Sequence, residues 1–226
     1  LCPMEAEFGE PQWVFGMSTY GFVSPTKILC CYSQNSLWHL AYLDTSSKKL
    51  AHIGTPFTQI EGVRVGNGFA IFIAGSPTQP YTLVRMDTST GKMESIKQAF
   101  EVTVDADYLS TATPITFPTT GGKEAYAIYY APKNKDYVGL EGERPPLMVM
   151  SHGGPTSATV TALRYSTQYW TSRGFAVLDV NYGGSTGYGR MYRQRLNGNW
   201  GIVDVDDCCN GALYLVEKGL ADPNRL

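Results

Sequence analysis

Leu147-Met148-Val149-Met150-Ser151-His152-Gly153-Gly154-Pro155 begins as an apolar run and ends in a glycine turn. Four consecutive apolar residues bounded by turn formers have the pattern of a strand buried on both faces of a parallel sheet. Downstream, residues 160–173 are predicted as a helix with Leu163, Tyr169 and Trp170 as core contacts, and Gly174 stands where a left-handed residue ends a helix. Phe175-Ala176-Val177-Leu178-Asp179-Val180 is a second buried strand. A second helix is predicted over residues 203–218, ending at Gly219, with Val205, Cys209, Ala212, Leu213 and Val216 at helical spacing. Strands alternating with helices predict right-handed crossovers and an α/β sheet. Toward the N-terminus, residues 131–146 are interrupted by Lys, Asp, Gly, Glu and the Pro145-Pro146 pair, a linker composition. Before them, Glu124-Ala125-Tyr126-Ala127-Ile128-Tyr129-Tyr130 is predicted as an edge strand that opens the α/β domain, dividing the chain into 1–122 and 123–226.

The first part has another period. Trp38-His39-Leu40-Ala41-Tyr42-Leu43-Asp44-Thr45-Ser46 aligns with Tyr81-Thr82-Leu83-Val84-Arg85-Met86-Asp87-Thr88-Ser89, an offset of 43 residues (38 to 81) that also places Ile28-Leu29-Cys30 on Ile71-Phe72-Ile73. A repeat of about 40 to 50 residues with several strands per unit is the signature of β-propeller blades. Each unit ends in an Asp-Thr-Ser turn, whose short polar groups bond the backbone as the chain reverses. A pair of similar hairpins in a sandwich is the alternative from the repeat alone. Two blades do not close a propeller, which takes about four or more, so the others are expected upstream of Leu1.

With 226 residues, 43% hydrophobic and 17% charged, the chain suits a globular core rather than disorder. A formal net charge of -2 gives no electrostatic reason to expect nucleic acid or an acidic membrane surface as partner. No apolar run approaches the roughly 18 residues of a membrane span. The opening Leu1-Cys2-Pro3-Met4-Glu5-Ala6-Glu7 has neither the basic nor the apolar region of a signal peptide and no initiator methionine, so it is expected to be internal to a longer protein. The five cysteines, Cys2, Cys30, Cys31, Cys208 and Cys209, show no metal-site spacing and are expected to be buried free thiols, which fits a reducing, cytoplasmic setting. No cofactor or metal is expected, and the oligomeric state is not encoded in any pattern here.

Two glycine-rich loops follow the two buried strands. Ser151-His152-Gly153-Gly154-Pro155 has the composition of a loop that donates a backbone N–H to an oxyanion hole, although a tight turn without chemistry would use the same glycines. Asn181-Tyr182-Gly183-Gly184-Ser185-Thr186-Gly187-Tyr188-Gly189 lacks the Lys-Ser/Thr of a phosphate loop and the spacing of a dinucleotide fingerprint. Together with Gln168-Tyr169-Trp170-Thr171-Ser172-Arg173-Gly174-Phe175, Trp200-Gly201, Asp204-Val205-Asp206-Asp207 and the upstream Glu7-Phe8-Gly9-Glu10-Pro11-Gln12-Trp13, these stretches resemble the prolyl oligopeptidase family, in its acylaminoacyl-peptidase and dipeptidyl-peptidase-like branch. The resemblance covers nearly the whole chain and is most specific in the last 80 or so residues. It implies β-propeller blades followed by the N-terminal part of an α/β-hydrolase domain. It further implies a serine peptidase that cleaves short peptides through an acyl-enzyme. His152, Gly153 and Gly154 would form the oxyanion-hole loop, with Gly154 as the N–H donor. One departure stands out: Gly183 occupies a position where the family typically carries Arg, a residue suited to support the loop or contact substrate.

No G-x-S-x-G occurs in the sequence. The Ser-Asp-His triad is therefore expected beyond Leu226, no catalytic residue is expected within the chain, and the segment alone is expected to be inactive. Ser151 and Ser185 lack the strand-elbow-helix context of a nucleophile. His39 and His52 are expected to be structural or exposed, and Asp204, Asp206 and Asp207 to favour a helix dipole. Two other functions fit parts of the pattern: a carboxylesterase with the same loop, and a non-catalytic binding protein, for which Gly183 is the only support.

Overall fold

A computed structural model describes residues 1–154 and 156–226; Pro155, the last residue of the His-Gly-Gly-Pro motif, lies outside the described residues. The chain divides into two compact units, Leu1–Val102 with Thr161–Leu163, and Thr103–Val160 with Arg164–Leu226.

The first unit holds two four-stranded antiparallel sheets, each a meander in chain order. One comprises β1 (Tyr20–Ser24), β2 (Lys27–Gln34), β3 (Leu37–Asp44) and β4 (Leu50–Ile53); the other comprises β5 (Gln59–Val65), β6 (Phe69–Ser76), β7 (Gln79–Asp87) and β8 (Met93–Gln98). The repeat carries β2 onto β6 and β3 onto β7, the same places in each sheet. The repeated Asp closes the following turn with its own carboxylate. Asp44 Oδ1 accepts from the N–H of Ser46 (3.1 Å) and Ser47 (2.7 Å), and Asp87 Oδ1 from the N–H of Ser89 (2.9 Å) and Thr90 (2.8 Å). Alternation sends Leu29, Cys31 and Leu40 into one core with Ile60, Val63, Ala70, Phe72, Val84 and Met86, while Ile28, Cys30, Tyr32, Ala41 and Leu43 form a second cluster. The arrangement is propeller-like.

A glycine bulge interrupts β5, where the register with β6 shifts between Glu61 and Arg64 and Gly62 takes φ +66°. Glu61 and Glu10 are half-buried. Burial and the nearby Glu61 charge raise the Glu10 carboxyl from its ordinary 4.5 to about 7. The folded state thus holds a proton that the unfolded chain releases between about 4.5 and 7, so this contribution to stability is present at low pH and is lost as pH rises through about 7. Thermal melts should show Glu10→Gln raising Tm over the unsubstituted protein at about pH 8 and leaving it unchanged at about pH 5. Equal gains at both would place the Glu10 proton elsewhere.

The second unit is built on a mixed sheet of order β11-β12-β10-β9. Here β9 is Thr113–Thr119, β10 Lys123–Tyr130, β11 Leu147–Ser151 and β12 Ala176–Asn181. The two apolar runs pair in parallel, Leu147 beside Ala176 and Ser151 beside Val180, and β12 runs antiparallel to β10. The expectation that residues 124–130 form an edge strand is corrected. β9 lies outside β10, pairing Pro114 with Ile128 and Pro118 with Glu124, and its two prolines suit an edge, where missing N–H groups cost little. On the opposite side of the sheet, Leu147 N–H donates to the Arg225 carbonyl (2.9 Å).

Helix α1 (Tyr165–Thr171) is shorter than the expected 160–173. Residues 161–163 belong to the first unit, and the Leu163 N–H donates to the Gln79 carbonyl instead of to a helical turn. Leu163 is buried there, Tyr169 is exposed and Trp170 half-buried, so Tyr169 is not a core contact. Gly174 (φ +87°) and Gly219 (φ +73°) adopt the left-handed conformation expected after each helix. A short α2 (Gly189–Arg193) precedes α3 (Val203–Glu217), whose inward face differs from the expected one. Val205, Cys209 and Leu213 are exposed, whereas Asp207, Gly211, Ala212 and Leu215 are buried and Val216 packs at the margin. Gly211 causes the rotation: a Cβ there would meet Leu178 Cδ2 at 2.9 Å and Phe117 Cζ at 3.1 Å, so only glycine lets the helix approach the sheet this closely. No described helix is long and apolar enough to cross a membrane.

All five cysteines are free. Cys30 and Cys31 are buried as expected, Cys2 and Cys208 are half-buried, and Cys209 is exposed, which corrects the expectation of five buried thiols. Burial pushes the Cys30 thiol up to about 11.

Candidate functional site

Because β11 and β12 run parallel, the loops after Ser151 and Asn181 leave the same edge of the sheet. That edge, at the carboxyl ends of parallel strands, is where open α/β sheets bind ligands. The two loops are bonded to each other. His152 Nε2 lies 2.6 Å from Ser185 Oγ, His152 Nδ1 lies 2.9 Å from the Gly153 carbonyl, and the Thr186 N–H donates to the Ser157 carbonyl (2.8 Å). The Tyr182 ring stacks on the His152 ring (centroids 4.6 Å apart, planes 19°), and its hydroxyl donates to the His152 carbonyl (3.1 Å).

These contacts settle the histidine's proton. A carbonyl only accepts, so Nδ1 carries the hydrogen, and in the neutral ring Nε2 is left to accept from the Ser185 hydroxyl. Burial lowers the His152 pKa, which keeps the ring neutral near pH 7.

The Ser185–His152 pair is nonetheless no nucleophile and base. Ser185 is 0% exposed, beyond the reach of a substrate, and Nδ1 is committed to a backbone carbonyl. Ser151 ends β11 and is exposed. Gly153 and Gly154 are exposed, and neither N–H donates to another described residue. Gly154 has φ +136°, a conformation L side chains rarely adopt. His152, Gly153 and Gly154 are thus together at the strand end. His39 is half-buried against Tyr32 (5.2 Å between centroids) and His52 is exposed, both in the other unit.

Beneath the loops lies a buried polar layer. Asp179, in the middle of β12 and 2% exposed, accepts from Arg164 Nη2 and from the Thr159 hydroxyl. Asn181 Oδ1 accepts from the Thr159 N–H (2.8 Å), and its Nδ2 donates to the Tyr188 hydroxyl (2.8 Å). Tyr188 stacks on Tyr126 (4.3 Å, 7°). The first loop is therefore tied at its start by Ser185 and at its far end by Asp179 and Asn181.

Gly183 has a steric reason. A Cβ on it would lie 2.8 Å from Val203 Cγ1 and 3.2 Å from Arg195 Cδ. The Arg195 stem fills the space beside it, while the guanidinium covers the Tyr192 ring (4.5 Å) and donates to the Glu124 carbonyl (2.6 Å). The Gly183 N–H donates to Asp207 Oδ2 (2.6 Å), and Thr119 Oγ1 donates to Asp207 Oδ1 (2.5 Å). Asp204 and Asp206 sit in the first turn of α3 as expected, but Asp207 does not merely favour the dipole: it is a 2%-exposed acceptor for the second loop. Sequence reasoning passed over Asp207, Ser185 and Asp179. For Asp179 a signal existed, since a carboxylate within a buried strand demands a partner. Among the described residues, no group of three or more His, Cys, Asp or Glu side chains is placed to hold a metal ion.

A propeller-like all-β unit with a mixed α/β unit, two glycine-rich loops meeting at the end of its parallel strands, defines a two-part architecture shared with known hydrolytic enzymes. Puromycin hydrolase superposes with a TM-score of 0.93 at 40% identity, covering 100% of this chain and 34% of that one. A puromycin-hydrolyzing peptidase of Mycobacterium tuberculosis superposes with a TM-score of 0.93 at 36% identity, covering 99% and 34%. The acylamino-acid-releasing enzyme of Arabidopsis thaliana is 39% identical over 85 residues, 38% of this chain and 11% of that protein. Residues 161–226 match the model of the prolyl oligopeptidase family. Over that stretch the chain is similar to members of the family. It spans about a third of the solved relatives, and its alignment with the plant enzyme covers about a tenth of that protein.

Proposed function

We propose that this chain is part of a serine peptidase that hydrolyses peptide bonds of short peptides through an acyl-enzyme, with the Ser-Asp-His triad carried outside the chain. In this reading the sheets up to β8 are propeller blades and the unit that starts at Thr103 is the N-terminal part of an α/β-hydrolase domain, a boundary earlier than the expected 122/123 because β9 joins the mixed sheet. Gly154 supplies a backbone N–H to the oxyanion, and His152 and Gly153 aim it.

The carrying observation is the bond from His152 Nδ1–H to the Gly153 carbonyl (2.9 Å). The C=O of Gly153 and the N–H of Gly154 belong to one planar peptide and point in opposite directions. Holding the carbonyl toward the buried imidazole therefore turns the Gly154 N–H away from it, on a loop whose glycines are exposed. A fixed donor at the end of a parallel strand is what a tetrahedral oxyanion requires, because it stabilises developing charge without reorganising. The chemistry attached to the relatives' names, hydrolysis of puromycin and release of acylamino acids, is acyl transfer from an amide, which uses such a donor. Free thiols throughout suit a reducing compartment.

The test is a fluorophosphonate probe on the full-length protein carrying this segment. Labelling of a serine outside residues 1–226, blocked by a short peptide substrate, is the expected result. A folded protein that takes no label would move the assignment to a non-catalytic binding protein.

A further inference from the structure

A series of hydrogen bonds runs from α3 to the candidate oxyanion donor. Asp207, anchored by Thr119, accepts the Gly183 N–H (2.6 Å) and so pins the start of the second loop. The Ser185 N–H closes a turn onto the Tyr182 carbonyl (2.9 Å), which presents its hydroxyl to His152 Nε2 at 2.6 Å. His152 in turn holds the Gly153 carbonyl. The structure assigns Ser185, held in place through Gly183 and Asp207, as a positioning residue that anchors the Nε2 side of the His152 ring and thereby the direction of the Gly153–Gly154 peptide. This deepens the peptidase reading and rests on Gly154 as its oxyanion donor.

The chemistry leaves one arrangement in which every atom is satisfied. A neutral imidazole has one N–H and one lone pair. The Gly153 carbonyl requires the N–H on Nδ1, so the lone pair on Nε2 needs a donor, and Ser185 is fully buried with its hydroxyl on that atom. Without the hydroxyl, Nε2 of the half-buried ring loses its partner. The ring is then free to turn toward water, and its Nδ1–H leaves the Gly153 carbonyl and releases the peptide. Stacking by Tyr182 sets the plane of the ring but does not distinguish its two nitrogens. The carbonyl selects the tautomer, and the hydroxyl, which can donate or accept, holds the ring where its Nδ1–H meets that carbonyl.

The experiment uses the full-length protein with 15N-labelled histidine, unsubstituted and as Ser185→Ala and Ser185→Cys. The unsubstituted protein should show His152 as the neutral Nδ1–H tautomer near neutral pH. Ser185→Ala should expose the His152 Nδ1–H to faster solvent exchange and give about a 10-fold lower kcat on a peptide amide, with KM changed less than about twofold. Ser185→Cys keeps the side chain's shape with a weaker donor and should fall between them, which guards against a misfolded Ala variant. A Ser185→Ala protein that keeps both the exchange protection of the Nδ1–H and its kcat would overturn the assignment. If the unsubstituted protein hydrolyses no peptide, the peptidase reading fails alone, and the Nδ1–H exchange still decides the role of Ser185.

Discussion

Replacing Asp179 by Ala should destabilise the protein by about 3–5 kcal/mol, the usual cost of removing one partner from a buried ion pair. The side chain of Asp179 is 3% exposed and that of Arg164 31%. Loss of the carboxylate leaves the guanidinium beside the Tyr130 hydroxyl without its counter-charge, and it also strands the Thr159 hydroxyl. Arg164 Nε already has no hydrogen-bond partner among the described residues, so the group has little reserve. The effect is read as the shift of the urea midpoint at constant slope. The paired change Asp179→Leu with Arg164→Met should lose less than half as much, because two apolar groups leave no buried charge behind. If the single and paired variants lose equally, the contact is one of shape and not of charge.

Gly154→Ala in the full-length protein should lower kcat on a peptide substrate by about 100- to 1,000-fold, the range for loss of one oxyanion donor, with KM nearly unchanged. The glycine's φ of +136° strains any side chain, and a Cβ would approach Ser157 Cβ at 3.2 Å and the Thr156 nitrogen at 3.3 Å. The loop must turn to relieve both, carrying the N–H off its line. Since the residue is exposed at the loop tip, Tm should hardly move. A folded variant with unimpaired turnover would take the oxyanion role from Gly154.

The two parallel strands, the repeat and the glycine-rich loops were legible because each is a local pattern: an apolar run, a fixed offset, a turn composition. The Asp44 and Asp87 turns formed as expected since their hydrogen bonds reach only two or three residues ahead. What was missed depends on distant partners. β9 carries Pro114 and Pro118 and shows no strand period of its own, and it forms because β10 offers it a free side. The inward face of α3 was misjudged because Gly211 and Asp207 look unfit for a core until Leu178, Phe117 and the Gly183 N–H are placed beside them. His152, Gly153 and Gly154 were singled out from the glycines of their loop together with the family resemblance. The link from Ser185 to His152 joins residues 33 positions apart, and no spacing rule announces it.

The two units also differ in how far the chain must search to build them. In the propeller-like sheets every strand pairs with its neighbour in sequence, and the turns after β3 and β7 are closed by their own Asp44 and Asp87. In the mixed sheet β10 must wait for β12, with Tyr126 beside Asn181, and the strand between them in sequence ends on the far side of β12. Loop-closure entropy makes such distant pairing slow. On a ribosome the hairpins of the first unit can therefore be complete while the second still exposes β10 and β11, so the apolar strands nearest the candidate site are those that spend longest in need of a chaperone.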